Sequence, residues 1–311
     1  MKIAIVGCGA MGSIYAALLA ASGNDVTAID RSSERAARVN AEGLRVTGAS
    51  GDRTARIVML HSVPEESFDL VVIAVKGPQV AAVAPGISRM LAPHSVVLAL
   101  QNGIGSIDTL AQHLPASQLA IGIAGGFGAE LVSPTHAHHN GMQVIRFGPY
   151  EKLPLARLQE IADAWNAAGL KTEVAADIAA MQWEKLICNV AYSAVCALTG
   201  KTVGEVMDDP ELGPISRAAA VEAWTVARAN GVSLAIDDPV ALVRSFAGRM
   251  RDARPSLLQD LEAGRSSEID VINGAVPTFA KRAGIAAPVN ATLVGLVRAR
   301  ERDQLAVVPT A

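Results

Sequence analysis

The sequence has few aromatic residues and little charge, and neither sign of charge dominates. Phe, Trp and Tyr make up only 4% of the 311 residues, charged residues make up 18%, and the net charge is −3. Nucleic-acid-binding proteins usually carry a clearly basic face, so this balance gives no reason to expect a nucleic-acid partner. Half of the residues are hydrophobic, which indicates a large aliphatic interior and excludes a disordered or fibrous chain.

Long hydrophobic runs are also missing, since no stretch reaches the roughly 18 apolar residues that a bilayer span needs. The apolar start resembles a signal peptide only superficially, because it meets Gly7 and Gly9 at once and continues into a helical pattern. The three cysteines form no close metal-type pair; they are Cys8, Cys188 and Cys196. We therefore expect buried, reduced cysteines in a cytoplasmic protein that has no membrane partner.

Length and hydrophobic pattern predict two domains. A chain of 311 residues is long enough for two cores. Its first half alternates short β-rich runs with helical patterns, which is typical of a doubly wound parallel sheet. From about residue 177 the strand signals almost vanish, and alanine-rich helical segments follow one another. The predicted fold class is therefore α/β, with an N-terminal Rossmann-type domain over residues 1–175 and an all-helical C-terminal domain over residues 176–311.

The individual elements follow from the same patterns. Strands are predicted over residues 2–6, 25–30, 70–75, 95–100 and 119–124, an edge or antiparallel strand over 143–147, and a last strand over 170–175. Helices are predicted over residues 11–22, 177–199, 213–230, 238–250 and 267–283, and a loop over 133–141.

A glycine-rich turn directly follows the first predicted strand and opens the first predicted helix. Gly7 permits a tight turn, Gly9 lets the backbone approach a pyrophosphate, and Gly12 lets the helix pack closely on the strand. The helix N-terminus presents unpaired N–H groups and a partial positive charge to the phosphates. The turn therefore predicts a dinucleotide site formed by Gly7, Gly9, Ala10, Met11 and Gly12. The alternative is a structural turn that binds no ligand.

The end of the second predicted strand gives conflicting signals about the cofactor. Asp30 stands close to the position where a carboxylate binds the adenosine ribose hydroxyls of NAD, and it would repel the 2′-phosphate of NADP. Arg31, Ser32 and Ser33 follow it, and a guanidinium with two hydroxyls suits a phosphate. The alternative for Arg31 is an ordinary solvated charge. We predict NADP, with NAD left open because of Asp30.

Two further predicted strands end in polar residues. Lys76 follows one of them, and Gln101-Asn102-Gly103 follows the next. Ligands bind outside the carboxyl ends of the strands in this architecture, so Lys76 and Asn102 are candidate cofactor contacts. The alternatives are a solvated lysine and an Asn-Gly pair that serves only as a turn.

Polar residues also interrupt the apolar helical part of the chain. Lys185, Asn189 and Ser193 are spaced four apart, so they share one face of a predicted helix. A partly exposed helix edge would explain the same stripe, because lysine is rarely buried unpaired. Ser256 and Glu268 belong to a segment that, taken alone, reads as a polar loop followed by a capped helix.

In order and spacing, these motifs resemble the ketopantoate reductase (2-dehydropantoate 2-reductase) family over nearly the entire chain. The segments from residue 183 onwards discriminate far better than the glycines do. The matching positions are the glycine turn, Arg31, Lys76, Gln101-Asn102-Gly103, Trp183-x-Lys185-x-x-x-Asn189, Ser256-x-x-Gln259-Asp260 and Glu268-Ile269-Asp270-x-Ile272-Asn273-Gly274.

The resemblance implies reduction of a small 2-oxo acid, held in a cleft between the two domains, with NADPH as the reductant. Lys185 would be the catalytic lysine that gives a proton to the ketone oxygen. Glu268 would orient that lysine or bind a substrate hydroxyl. The other implied contacts are Asn102, Asn189 and Ser256 on the substrate side, and Arg31, Lys76 and Asn102 on the cofactor side.

The chain departs from the family pattern at Ser193, where the family often carries a second asparagine. Serine keeps a hydroxyl but has a shorter reach, so Ser193 stays among the substrate-binding candidates, and either it holds the far hydroxyl of the substrate differently or the substrate is another 2-oxo acid. One alternative is therefore a reductase or D-2-hydroxy-acid dehydrogenase for another 2-oxo acid. A second is a catalytically silent NADP-binding redox sensor, which would leave Lys185 without a purpose.

A third alternative is metal-dependent hydrolysis through His136, His138 and His139. They lack an obvious carboxylate partner and helical spacing, so we predict a surface loop and no metal. The predicted partner is a small-molecule 2-oxo acid. A homodimer is compatible with the sequence, which does not specify an assembly.

Overall fold

The computed structural model describes residues 1–307, which form two compact units. The first unit comprises residues 1–101 and 106–178, and the second comprises residues 102–105 together with the described chain from residue 179. The predicted division at residue 175 therefore differs from these units mainly in residues 102–105. This short segment leaves the sheet of the first unit and packs within the second, which a linear pattern of residues cannot reveal.

Among the described residues, the first unit contains twelve strands and, besides short 3₁₀ turns, five complete α-helices. The strands are β1 (Lys2–Val6), β2 (Asp25–Ile29), β3 (Leu44–Gly48), β4 (Arg53–Ala55), β5 (Val58–Leu60), β6 (Phe68–Ile73), β7 (Leu91–Ala99), β8 (Leu119–Gly125), β9 (Gly128–Ser133), β10 (His136–Gly141), β11 (Val144–Pro149) and β12 (Thr172–Val174). The helices are α1 (Ala10–Ala21), α2 (Ser33–Glu42), α3 (Val80–Ile87), α4 (Ser106–Ala111) and α5 (Leu155–Ala167).

The main sheet has eight strands in the order β12-β11-β8-β7-β6-β1-β2-β5. Its pairs are parallel except for β11, which runs antiparallel to β8. Side chains alternate between two cores along β1: Ile3 and Ile5 belong to one buried cluster, whereas Ala4 and Val6 belong to another. The sheet is therefore covered on both faces, and the predicted doubly wound class is confirmed. The antiparallel strand near residue 145 and the last strand near residue 173 are confirmed too.

A second sheet, in the order β4-β3-β10-β9, was not predicted. The predicted loop over residues 133–141 is wrong, because β10 pairs in parallel with β3 and antiparallel with β9. The histidines of β10 break the alternation of polar and apolar residues that usually indicates a strand. One of them, His139, nevertheless occupies a buried position and is only 3% exposed. Within residues 1–307, no group of three or more His, Cys, Asp or Glu residues could hold a metal ion.

The described part of the second unit is helical. Its helices are α6 (Ile178–Thr199), of which all but the first residue belongs to this unit, α7 (Val203–Asp208), α8 (Leu212–Ala229), α9 (Pro239–Arg249), α10 (Ser256–Glu262), α11 (Ala275–Arg282) and α12 (Pro288–Val307). Helix α6 lies in the middle of the core, since Ile187, Val190 and Ala194 on it are fully buried. No helix in the described range is long and apolar enough to cross a membrane.

The predicted helix over residues 267–283 is wrong in its first half, because a bend at Glu268 is followed by turns over residues 269–274, and only α11 is helical. Asn273 is fully buried in this segment, and its side-chain amide donates to the carbonyl oxygen of Val190 and to Oδ1 of Asn290. Such buried polar partners stabilise a compact turn over a continued helix. The turn, hereafter the Glu268 turn, is therefore held against α6 by a side chain.

The three cysteines are buried, as predicted. Burial raises the pKa of the Cys8 thiol to about 11 and that of the Cys188 and Cys196 thiols to about 12. Thiols in such surroundings stay protonated near neutral pH, so these residues act as small packing groups.

Candidate active site

The glycine turn of the first unit is constrained by close backbone contacts. Gly7 has φ +93°, and a Cβ there would lie 2.5 Å from the backbone nitrogen of Val75. A Cβ on Gly12 would lie 2.1 Å from the carbonyl oxygen of Gly7. Both positions therefore require glycine on steric grounds, as the sequence predicted.

The same turn leaves open space where a phosphate would bind. Gly9 is exposed, and a Cβ there would meet nothing within 4 Å. Gly9 is also the N-cap of α1 and provides no side-chain cap, so the first N–H groups of the helix, from Ala10 to Gly12, lack intrahelical partners. Ala10 and Met11 are half-buried. This cradle fits the pyrophosphate of a dinucleotide.

At the end of β2, the carboxylate of Asp30 is engaged by a residue that the sequence did not indicate. Arg35 of α2 forms an ion pair with it at 2.6 Å and is only 8% exposed. Arg31, in contrast, is exposed and forms no hydrogen bond or ion pair with the described residues. A signal for Arg35 existed: it shares the inward face of α2 with Ala36 and Val39.

Two polar residues follow the next strands of the main sheet. Lys76 is half-buried and precedes a short 3₁₀ turn over Gly77–Gln79, three residues beyond the end of β6. Gln101, after β7, donates from Nε2 to the carbonyl oxygens of Ile73 and Val75 at 2.6 and 3.0 Å. Gln101 therefore fixes the segment that leads to Lys76.

In the second unit, Lys185, Asn102 and Glu268 form a hydrogen-bonded group, hereafter the lysine cluster. Lys185 Nζ donates to Asn102 Oδ1 at 3.0 Å, and Asn102 Nδ2 donates to Glu268 Oε2 at 3.4 Å. The amide of Asn102 thus joins an ammonium to a carboxylate. The structure therefore brings together three residues that lie far apart in the sequence and that the motifs singled out.

The loop of residues 102–105 positions Asn102 through its neighbours. Ile104 N donates to the carbonyl oxygen of Val271 at 2.9 Å, and Gln182 of α6 donates to the carbonyl oxygen of Gly103 at 3.2 Å. Gly103 has φ +81°, and a Cβ there would lie 1.9 Å from the Val271 oxygen. Only glycine allows this approach, so the Asn-Gly pair does more than form a turn.

The surroundings of Lys185 make it an unusually acidic ammonium. Burial lowers the pKa of Lys185 to about 8, and the negative charge of Glu268 opposes part of that change. At pH 7 such a group is still mostly protonated, yet it releases its proton far more easily than an exposed lysine does. It can therefore serve as a proton donor to an oxygen that gains negative charge.

The other predicted substrate residues divide into two groups. Asn189 and Ser193 continue the face of α6 that carries Lys185; Asn189 is half-buried and Ser193 is 6% exposed. Neither side chain forms a hydrogen bond with the described residues. Ser256 is the first residue of α10, is exposed, and is not part of the hydrogen-bonded lysine cluster.

Comparisons with known proteins agree along nearly the whole chain. Residues 3–152 match the family model "Ketopantoate reductase PanE/ApbA", and residues 177–301 match "Ketopantoate reductase PanE/ApbA C terminal". The 2-dehydropantoate 2-reductase of Halobacterium salinarum is 33% identical over 307 residues, which cover 97% of this chain and 100% of that protein.

Solved structures give the same result. The PanE/ApbA family ketopantoate reductase from Ralstonia eutropha JMP134 is 31% identical, has a TM-score of 0.88, and aligns over 98% of this chain and 99% of its own. A ternary structure of D-mandelate dehydrogenase with NADH and anilino(oxo)acetate is 26% identical, has a TM-score of 0.89, and aligns over the same shares.

These matches decide between the classes that the sequence left open. The relatives are named as a reductase and a dehydrogenase, and the D-mandelate dehydrogenase was solved with NADH, so the alternative of a catalytically silent sensor has no support. The chain belongs to the ketopantoate reductase family and is an oxidoreductase acting on a CH–OH group.

Proposed function

We propose that this protein reduces a small 2-oxo acid to the 2-hydroxy acid with NADPH, and that the substrate is 2-dehydropantoate, which becomes pantoate. The observation that carries the proposal is the Lys185 ammonium, partly removed from water and held by Asn102 beside Glu268. Hydride addition to a ketone places negative charge on the carbonyl oxygen, and a proton donor at that oxygen stabilises it. The names of the matching family and relatives support the same substrate.

The proton transfer follows from the chemistry of Lys185. A bound nicotinamide supplies the hydride. Lys185 supplies the proton: an Nζ–H bond breaks as the O–H bond of the new alcohol forms, and the side chain becomes a neutral amine. Water then returns a proton to Nζ. A pKa of about 8 makes both forms accessible near neutral pH.

Asn102 and Glu268 prepare Lys185 for this role. The amide oxygen of Asn102 accepts one ammonium hydrogen and so limits the rotation of the lysine. The carboxylate of Glu268 raises the pKa of Lys185 against the effect of burial, which keeps the donor protonated at neutral pH. Glu268 is 9% exposed and is also proposed to bind a substrate hydroxyl.

The cofactor is proposed to bind through the glycine turn, from Gly7 to Gly12, with its pyrophosphate on the N-terminus of α1. Arg31 is proposed to bind the 2′-phosphate, because it is exposed and lies beside the N-terminus of α2. Lys76 and Asn102 are the further proposed cofactor contacts.

Asn189 and Ser193 are the proposed contacts for the body of the substrate, since their side chains form no hydrogen bond with the described residues and follow Lys185 along α6. Ser256 is a further proposed substrate contact from α10. These assignments rest on the family motif and on the shared helix face.

A second candidate is a dehydrogenase for another 2-oxo or D-2-hydroxy acid, with the same proton donor. Two observations favour it: the similarity to D-mandelate dehydrogenase, and Ser193 in place of the frequent second asparagine of the family. A serine hydroxyl reaches less far than an amide, so it suits a substrate that lacks a distant hydroxyl.

The test is a panel of 2-oxo acids that contains 2-dehydropantoate, a branched acid without a hydroxyl, and an aryl acid. Oxidation of NADPH and of NADH is followed by absorbance, and the 2-hydroxy acid is identified in the product. We expect the highest kcat/KM for 2-dehydropantoate with NADPH. A preference for the aryl acid by a factor of ten or more would support the second candidate, and no turnover with any 2-oxo acid would overturn both.

A further inference from the structure

The Asp30 carboxylate at the end of β2 has a partner on each oxygen. Oδ2 accepts from Arg35 at 2.6 Å, and Oδ1 accepts from the backbone nitrogen of Ser32 at 3.0 Å. The side chains of Asp30 and Arg35 are only 16% and 9% exposed. Solvent and salt screen an ion pair at this depth only weakly. The positive charge of Arg35 therefore offsets the negative charge of Asp30 for any group that binds nearby.

Arg35 is held in place by three other acceptors. Its Nε donates to the carbonyl oxygen of Pro134 at 2.8 Å, and a terminal nitrogen donates to Ser13 Oγ at 2.8 Å. The nitrogen that pairs with Asp30 also donates to the carbonyl oxygen of Cys8, in the glycine turn. The guanidinium therefore cannot leave Asp30 without losing bonds to the segment that binds the pyrophosphate.

Arg31 lies next to this pair and has no such engagement. It is exposed and forms no hydrogen bond or ion pair with the described residues. Helix α2 starts beside it with Ser32 as the N-cap, and Glu34 is the acidic residue in the first turn. With Asp30 neutralised by Arg35, Arg31 is the charge that a phosphate at the end of β2 would meet first.

We infer that Arg35 is an internal counter-ion that makes Asp30 compatible with a 2′-phosphate, and that it thereby determines the preference for NADPH over NADH. This inference rests on the proposed NADP cofactor. A carboxylate at the end of the second strand ordinarily binds the ribose hydroxyls of NAD and repels the phosphate of NADP. Here the carboxylate is retained, but its charge is cancelled from inside the protein.

A purely structural role for Arg35 makes a different prediction. If Arg35 only held α2, β2 and the glycine turn together, its loss would weaken the binding of NADPH and of NADH to the same extent, because both cofactors carry the same pyrophosphate. A counter-ion affects mainly the cofactor with the 2′-phosphate, and only while Asp30 is charged. The ratio of the two dissociation constants therefore separates the two roles.

The experiment measures the Kd of NADPH and of NADH by fluorescence titration, without substrate. The variants are Arg35→Gln, Asp30→Asn, and the double variant Asp30→Asn/Arg35→Gln. Arg38→Gln is the matched control, since Arg38 lies on the same helix in an exposed pair with Glu42. We expect Arg35→Gln to raise the Kd of NADPH at least tenfold and that of NADH less than threefold. In the double variant, the Kd of NADPH should lie within threefold of the wild-type value. Arg38→Gln should change neither Kd.

Equal weakening of both cofactors in Arg35→Gln, with no recovery in the double variant, would overturn the inference. If Arg35→Gln does not fold, the double variant provides the test. A Kd of NADPH within threefold of the wild-type value supports the inference, and a tenfold rise in the Kd of NADPH alone contradicts it. Because these titrations need no turnover, a failure to reduce 2-oxo acids would leave their result unaffected. A wild-type protein that binds NADH more tightly than NADPH would instead overturn the proposed cofactor.

Discussion

The glycine turn and the lysine cluster are built from different parts of the polypeptide. In the turn, the backbone itself forms the proposed site: Gly7 and Gly12 lack the room for a Cβ, and the first N–H groups of α1 have no side-chain cap. In the lysine cluster, side chains of Lys185, Asn102 and Glu268 form the site, and the backbone only positions them. The turn should therefore determine cofactor binding, and the lysine cluster should determine the rate of the chemical step.

The largest effect is expected for Lys185→Ala. Positioned general-acid catalysis contributes about 10²–10⁴-fold to a rate, so kcat should fall by at least a hundredfold. Because the turn is unchanged, the Kd of NADPH should stay within twofold. Lys281→Ala, an exposed lysine in the same unit, is the control. A kcat within threefold of wild type for Lys185→Ala would rule out the proposed proton donor.

The converse is expected for Gly12→Ala. The new Cβ would lie 2.1 Å from the carbonyl oxygen of Gly7, so the turn must shift and the Kd of NADPH should rise at least tenfold. Overpacking of this kind also costs about 1–3 kcal/mol of unfolding free energy. Gly248→Ala in α9 is the control, because its Cβ would meet nothing within 4 Å. An unchanged Kd for Gly12→Ala would refute the role of the turn.

A smaller effect is expected for Glu268→Gln. The carboxylate raises the pKa of Lys185, which is about 8, so its removal should lower that pKa. The proton donor is then lost at lower pH, and the alkaline fall of kcat/KM should begin below pH 8. Glu262→Gln, an exposed residue of α10 paired with Arg254, should leave the profile unchanged. A profile that does not move in Glu268→Gln would remove Glu268 from the site.

The difference between the two regions also explains what could be predicted from the sequence. The glycine turn is local, since six consecutive residues, from the end of β1 into the first turn of α1, define it. The stripe of Lys185, Asn189 and Ser193 is local as well, because helical spacing alone places them on one face. The doubly wound sheet followed from buried β-rich runs for the same reason.

What the sequence missed depends on contacts between distant segments. The ion pair of Arg35 with Asp30 needs the fold of α2 onto β2, and β10 is a strand only because β3 and β9 flank it. The Glu268 turn follows from the buried bonds of Asn273 to α6 and α12, which override local helical spacing. In each case, contacts with residues distant in the sequence determine the conformation of the segment.

The pH dependence of kcat/KM in wild type and in Lys185→Arg tests the role of Lys185 most directly. The guanidinium of arginine does not lose its proton in the accessible range, whereas the pKa of Lys185 is about 8. We predict that wild-type kcat/KM falls tenfold per pH unit above about pH 8, and that Lys185→Arg retains a low rate without this fall. An unchanged alkaline fall in Lys185→Arg would contradict the assignment of Lys185 as the proton donor.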